Sequence, residues 1–242
     1  INMIPLMRLA IDCYQGHASK TFNVHVRDDD KEYDRDYAEM DAMMHKAITI
    51  IQFKVEGQLI KKHPEWNMKE RLLLDKIDYK QGTIKLGGKE YPLNDTYFPT
   101  IDPKDPYKMT HEEEDVVERL KNSFLGSERL QRHIRFLYTK GSLYKVYNGN
   151  LLYHGCVPLN EDGSFMKVRI FDKTYSGKAL YDILEHYARK GYYSIDPQEK
   201  QRGEDILWFI WKNKHSPVFG KERMATFERY FIDATETHEE PK

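Results

Sequence analysis

Two cysteines, Cys13 and Cys156, are all that the 242 residues contain. That scarcity excludes a disulfide-stapled secreted scaffold and fits a reduced cytosolic protein. Both thiols read as small apolar core residues. Charge of one sign is lacking too, with 38 Lys and Arg against 39 Asp and Glu, a net charge of -1 and a pI near 6.9. A nucleic-acid binder working through a strongly basic face is excluded by that balance. No apolar run approaches the roughly 20 residues of a membrane span, and no internal repeat is present. The chain opens Ile1-Asn2-Met3-Ile4 without a signal-peptide pattern, and it is read as an excised or processed piece of a longer protein, or as a domain freed of a tag.

What is there divides at the breakers. Residues 1–64 read as a helical segment, 65–109 as a small β-meander with an irregular loop, and 110–242 as helices with strand-bearing stretches between them. In the first segment Leu6, Leu9, Ala10 and Cys13 recur at helical spacing from Ile4 to Tyr14, with Pro5 in the first turn. Phe22 to Val26 alternates like a short strand or arm. Asp28-Asp29-Asp30 caps a long helix carrying one apolar stripe, from Tyr33 and Tyr37 through Met40, Met44, Ala47, Ile48, Ile51 and Val55 to Leu59. The Asp28 to Asp34 cluster lacks the Gly and terminal Glu of an EF-hand loop, so capping outweighs cation binding. Met40, Met43 and Met44 read as core filler before a binding groove. Lys61-Lys62-His63-Pro64 ends the helix.

From Leu72 to Leu93 the period becomes that of strands, turning at Gln81-Gly82 and Gly87-Gly88. Asn94 to Met109, with Pro99, Pro103 and Pro106, reads as an ordered but irregular loop that crosses a surface, a partner being one thing it could lie over. Thr110-His111-Glu112-Glu113 is a capping box, opening a helix with Val116, Val117, Leu120 and Phe124 inward. A second helix follows Gly126, its Arg129, Arg132 and Arg135 forming a solvated face rather than a phosphate clamp. Asn148-Gly149 joins two strand-like runs as a hairpin. Val168 to Phe171 reads as extended, Ser176 caps a helix ending by Gly191, Asp205 to Trp211 reads as a short buried helix, and Lys221 to Phe231 as the last helix.

The stretch that organises the rest is Leu151-Leu-Tyr-His-Gly-Cys-Val-Pro-Leu-Asn-Glu-Asp-Gly-Ser-Phe165. Its apolar run stops at His154 and Gly155, so a buried strand is expected to deliver one imidazole to a loop at its C-terminal edge. Gly155 leaves room for a ligand or a second backbone to approach. A lone histidine is otherwise a hydrogen-bonded strand-end residue, since a metal site needs companion ligands.

Tyr153-His-Gly-Cys-Val-Pro-Leu-Asn-Glu-Asp-Gly163 resembles class III fructose-1,6-bisphosphatases, at the segment corresponding to the His-Gly-Gly step of calcineurin-like metallophosphatases. The likeness continues in order through Tyr175-Ser-Gly-Lys-Ala-Leu180, His215-Ser-Pro-Val-Phe-Gly-Lys221, Met224 and Thr226-Phe-Glu-Arg-Tyr-Phe231. It implies an α/β fold: part of a metallophosphatase sandwich within 110–242, with a helix-rich insertion and the meander before it. It also implies removal of the 1-phosphate of fructose 1,6-bisphosphate in gluconeogenesis, in the cytoplasm, with manganese, two ions in the intact enzyme. In that superfamily the histidine matched by His154 is a metal ligand.

Two-metal phosphomonoester hydrolysis needs a bridging carboxylate, several His and Asn ligands, and cations against the phosphoryl oxygens. The superfamily's Asp-x-His, Gly-Asp-x-x-Asp and Gly-Asn-His motifs do not occur, and no Gly-His follows His154. Gly16-His17 imitates that last pair but precedes His154, which is the wrong order. The piece alone is therefore expected to be inactive, with the missing ligands in flanking sequence. Lys221 and Arg223, after the glycine of Ser216-Pro-Val-Phe-Gly220, are candidate sugar-phosphate contacts or two ordinary basic residues at a helix start; His215 is a third candidate. Half a sheet leaves open edges, so a homo-oligomer or association with the flanking segments is expected. Two other assignments stay open: a metallophosphatase for another phosphoester, and a non-catalytic helical regulatory or assembly module.

Overall fold

Residues 2–17, 20–22, 35–220 and 226–233 are described by the structure, a computed structural model. They form two compact units. The first draws on residues within 1–62, 69–128 and 225–239, and the second on residues within 63–68 and 129–224.

In the first unit, helix α1 (Ile4–Tyr14) has its proline in the first turn and buries Leu6, Leu9, Ala10 and Tyr14. Helix α2 (Arg35–Lys62) stops before His63-Pro64, as proline dictates. The single stripe expected on α2 gives way to two buried faces. Met43, Ala47 and Ile51 meet α1 and Val116, while Ala42, Ile50 and Phe53 join Phe22, Leu74, Ile84, Tyr107, Phe227 and Phe231 in a second cluster. A helix enclosed on most of its circumference cannot be read from one periodic stripe, and Val55, assigned inward, is exposed.

Enclosure also buries polar residues of α2. Lys46 is fully buried, its Nζ 2.6 Å from Asp95 Oδ2 and facing the rings of Tyr14 and Tyr97. Burial holds its ammonium below the usual lysine range, with Asp95 pulling the other way. Lys54 donates to Glu113 Oε2 at 2.6 Å and to the Thr100 carbonyl. Both lysines thus bind the 94–109 segment or its neighbours. Within that loop Thr100, Ile101 and Tyr107 are buried inside the unit, while Asp102, Pro103, Lys104 and Asp105 are exposed.

The meander forms as expected, with strands β1 (Ile77–Asp78), β2 (Thr83–Leu86) and β3 (Lys89–Pro92) in one antiparallel sheet. Thr110 caps α3 (His111–Leu125) in a complete capping box. Phe22 lies in a short 3-10 turn, Lys20–Phe22, rather than a strand. Residues 23–34 of the expected arm and acidic cap lie outside the described residues.

The second unit contains α4 (Glu128–Lys140) from Arg129 onward, with Arg129, Arg132 and Arg135 exposed. Strands β4 (Tyr144–Tyr147) and β5 (Asn150–Tyr153) pair antiparallel. Asn148 and Gly149 between them have φ of 48° and 75°, the two positive angles that suit an Asn-Gly hairpin. Strands β6 (Val168–Ile170) and β7 (Lys173–Tyr175) form another pair. Helix α5 (Gly177–Tyr193) runs past Gly191, because that glycine does not stop the helix but admits the backbone of Gly203. Helix α6 (Pro197–Lys212) is a full helix rather than the short 205–211 segment expected. Asp196 Oδ1 accepts from Glu199 N at its start. The last helix, α7 (Thr226–Phe231), belongs to the first unit and buries Phe227 and Phe231; residues 221–225 lie outside the described residues.

Among the described residues the fold is mixed α/β, mostly helical, with its strands in three small antiparallel sheets. β5 is exposed throughout rather than buried, because no element among the described residues covers the β4–β5 pair. No described helix is long and apolar enough to cross a membrane.

Candidate functional site

β5 ends at Tyr153, and the chain bends through His154 and Gly155 into a contact that sets the geometry of the site. Cys156 N donates to the Pro217 carbonyl at 2.8 Å. A Cβ on Gly155 would meet Pro217 O at 2.4 Å and Val218 O at 2.6 Å, so only glycine lets the two backbones run this close. The close approach expected at Gly155 is real, and what approaches is the 213–220 turn. Two stretches sixty residues apart, His154-Gly-Cys156 and His215-Ser-Pro-Val-Phe-Gly220, form one local structure.

That turn is rigidly held where it leaves α6. Asn213 and Ser216 are buried; Asn213 Oδ1 accepts from His215 N at 2.8 Å. Ser216 Oγ donates to the Ile210 carbonyl and accepts from Val218 N at 3.1 Å. On the other side Tyr181 of α5 donates its hydroxyl to the Cys156 carbonyl at 2.8 Å. Burial first, then the neighbouring Cys156 and Tyr153, pushes the Tyr181 phenol up to about 12, so it remains a donor at neutral pH. Burial also raises the Cys156 thiol. It sits 2.8 Å from where a Cβ on Gly220 would stand, which is packing, not the exposed thiolate of a nucleophile.

The Asn160-Glu-Asp-Gly163 tip is a tight turn on an exposed loop. Asn160 N donates to Ser164 O, Gly163 has φ of 80°, and Asp162 Oδ1 accepts from Ser164 Oγ and N. Those two bonds hold the Asp162 carboxyl below the usual range.

His154 is exposed at the rim of this junction, and His215 is half-buried within the turn. Lys221 and Arg223 lie outside the described residues. Among the described residues no group of three or more His, Cys, Asp and Glu side chains is placed to hold a metal ion. Among the described residues, then, no complete manganese site is present.

Sequence reasoning missed Tyr181, Asn213 and Ser216. The signal available was Asn-x-x-Ser-Pro directly after a helix, a capping and turn pattern. It also passed over His63, whose ring nitrogens lie 2.8 Å from Glu65 Oε1 and 2.9 Å from Asp205 Oδ2. That ring is buried and stacked on Trp66 while Glu65 is exposed, so the cluster is a clasp within the second unit.

The sequence model described as Firmicute fructose-1,6-bisphosphatase matches residues 1–242. The chain is 51% identical over 242 residues to a protein of Clostridium beijerinckii named fructose-1,6-bisphosphatase class 3 1, a match covering 100% of this chain and 36% of that relative. It is 53% identical to fructose-1,6-bisphosphatase class 3 of Clostridioides difficile and 52% to that of Clostridium tetani, each again over 100% of this chain and 36% of the relative. The chain thus spans about a third of the length of the curated relatives it matches. No solved structure matches it.

Proposed function

The chain belongs to the Firmicute fructose-1,6-bisphosphatase family, and on that premise we propose that it works as part of a metal-dependent phosphatase releasing the 1-phosphate of fructose 1,6-bisphosphate. The observation that carries this is the junction at Gly155. Two of the stretches that resemble the family, around His154 and around His215, are locked together by Cys156 N to Pro217 O at 2.8 Å. An exposed imidazole stands on that rigid rim.

In this proposal His154 is one ligand of a manganese centre, and the other ligands come from sequence that the relatives carry outside the match. The hairpin and the 151–165 stretch are the chain's share of a metallophosphatase sandwich, and the enzyme acts in the cytoplasm in gluconeogenesis. Lys221, Arg223 and His215 contact the sugar phosphate. The chain alone is inactive and functions in association, with itself or with the further sequence.

The test is phosphate release from fructose 1,6-bisphosphate by a polypeptide of the relatives' length carrying this chain, with and without manganese, against His154→Ala. Loss of both turnover and manganese binding in the variant, the latter read by isothermal titration, supports the assignment. Unchanged manganese affinity removes His154 from the ligand set. A non-catalytic assembly module is favoured by one observation, the absence of a ligand cluster among the described residues. A full-length polypeptide that binds no manganese would decide for it.

A further inference from the structure

One face of the β4–β5 hairpin is apolar and yet exposed. Its register sets Tyr144 opposite Tyr153 and Val146 opposite Leu151, then Lys145 opposite Leu152 and Tyr147 opposite Asn150. Strand side chains alternate, so Val146, Leu151 and Tyr153 share one side with Tyr144, while Tyr147 and Leu152 lie on the other. Val146 is 63% exposed, Leu151 53%, Tyr147 61% and Leu152 53%. The side with Val146, Leu151 and Tyr153 is apolar throughout, as the covered face of an antiparallel pair is, while Lys145 and Asn150 accompany Tyr147 and Leu152 on the other.

The hairpin is anchored at one end only. The Tyr144 ring meets Tyr181 edge-on at 5.5 Å and its hydroxyl donates to Asp182. Beyond that point, among the described residues, both outer edges are unpaired. A two-stranded pair is marginal by itself, and an open apolar edge invites another strand.

We propose that this hairpin is a docking surface on which the part of the family polypeptide outside the match adds β-strands, pairing its open edges and covering the side that carries Val146, Leu151 and Tyr153. The proposal rests on the family membership and goes beyond the phosphatase assignment by naming the surface. Length supports this occupant: the match covers 36% of the Clostridium beijerinckii relative, so most of that polypeptide lies outside it. Position supports it as well. β5 runs directly into His154, so a strand added beside it ends next to an imidazole that belongs to no group of three candidate ligands among the described residues. A second copy of this chain would bring only the same side chains to that place.

The test is amide hydrogen exchange of residues 144–153 in this chain alone and in the same chain set in its matching place within the remaining sequence of the Clostridium beijerinckii relative. Exchange is expected to slow by about 100-fold or more in the longer polypeptide, independently of its concentration. Val146→Lys with Leu151→Lys, made in that polypeptide, is expected to return the hairpin to fast exchange; Arg132→Glu on the exposed face of α4 leaves it protected. Equal exchange in both polypeptides overturns the proposal. So does protection that grows with concentration in this chain alone, which would assign the surface to a second copy. Phosphate release is read separately: a protected hairpin in a polypeptide without turnover supports the docking surface and counts against the phosphatase assignment.

Discussion

The Pro217 carbonyl oxygen lies 2.4 Å from where a β-carbon on residue 155 would stand, and Gly155 is the residue that lets it lie there. Because the neighbouring contact is backbone, it cannot rotate away as a side chain would. Gly155→Ala is expected to destabilise the second unit by about 1–3 kcal/mol, the cost of overpacking a fixed contact. Urea denaturation followed by far-UV circular dichroism measures it. A midpoint equal to that of the unaltered chain would mean that the two stretches are not held together as described.

Lys54 and Glu113 form the second prediction. Lys54 Nζ donates to Glu113 Oε2 at 2.6 Å, both side chains are buried, and the same oxygen accepts from Thr110 N at 2.8 Å. Lys54→Met leaves a carboxylate buried without its cation and is expected to cost about 3–5 kcal/mol. Adding Glu113→Gln removes the stranded charge and is expected to recover part of that loss. A double variant no more stable than Lys54→Met would argue against the pair as the source of the cost.

Local chemistry is what the sequence made legible. Thr110 with Glu113, Asn148-Gly149 and the Gly155 constriction each announce themselves within a few residues, and each stands where expected. Long-range relations were hidden. Lys46 and Lys54 look like the wet side of α2, and only the fold, by wrapping a second cluster around that helix, makes them interior. The start of α6 at Asp196-Pro197 was present but masked by the charged run Gln198 to Asp205, which hides the apolar period. At the site, sequence pointed to the close approach at Gly155 but not to Pro217 as the neighbour. Further metal ligands were not legible because the chain has none of the motifs that supply them.

Gly191 and Gly203 give the third prediction. A Cβ on Gly203 would meet Gly191 N at 2.1 Å and Tyr187 O at 2.4 Å, and one on Gly191 would meet the Gly203 carbonyl carbon at 2.7 Å. In an exposed helix interior glycine to alanine gains about 1 kcal/mol. Here that gain is expected to be overridden, with Gly203→Ala lowering stability by about 1–3 kcal/mol net as α5 and α6 are forced apart. Thermal unfolding of the two single variants measures it. A raised melting temperature for Gly203→Ala would show that the helices do not cross at this pair.

Glu185 supplies a pH dependence. Burial alone would raise its pKa, but Ser142 Oγ at 2.6 Å, Arg189 Nη2 at 2.7 Å and Leu143 N at 3.0 Å all donate to the carboxylate and together bring it below 4.5. A group whose folded pKa is depressed stabilises the fold above its unfolded pKa, and that contribution is lost as pH falls through the folded value. The nearby Asp182 is held low in the same direction by Lys178, so wild-type acid sensitivity has more than one source and the comparison must be with a variant. Glu185→Gln keeps the shape but accepts weaker bonds from Arg189 and Ser142. It is expected to be less stable at about pH 7 and to lose less on acidification towards about pH 3, so the two melting curves converge. Melting temperatures measured across that range decide the point: parallel decline of the two proteins would show that the Glu185 carboxylate is not the group whose protonation loosens the 141–143 link to α5.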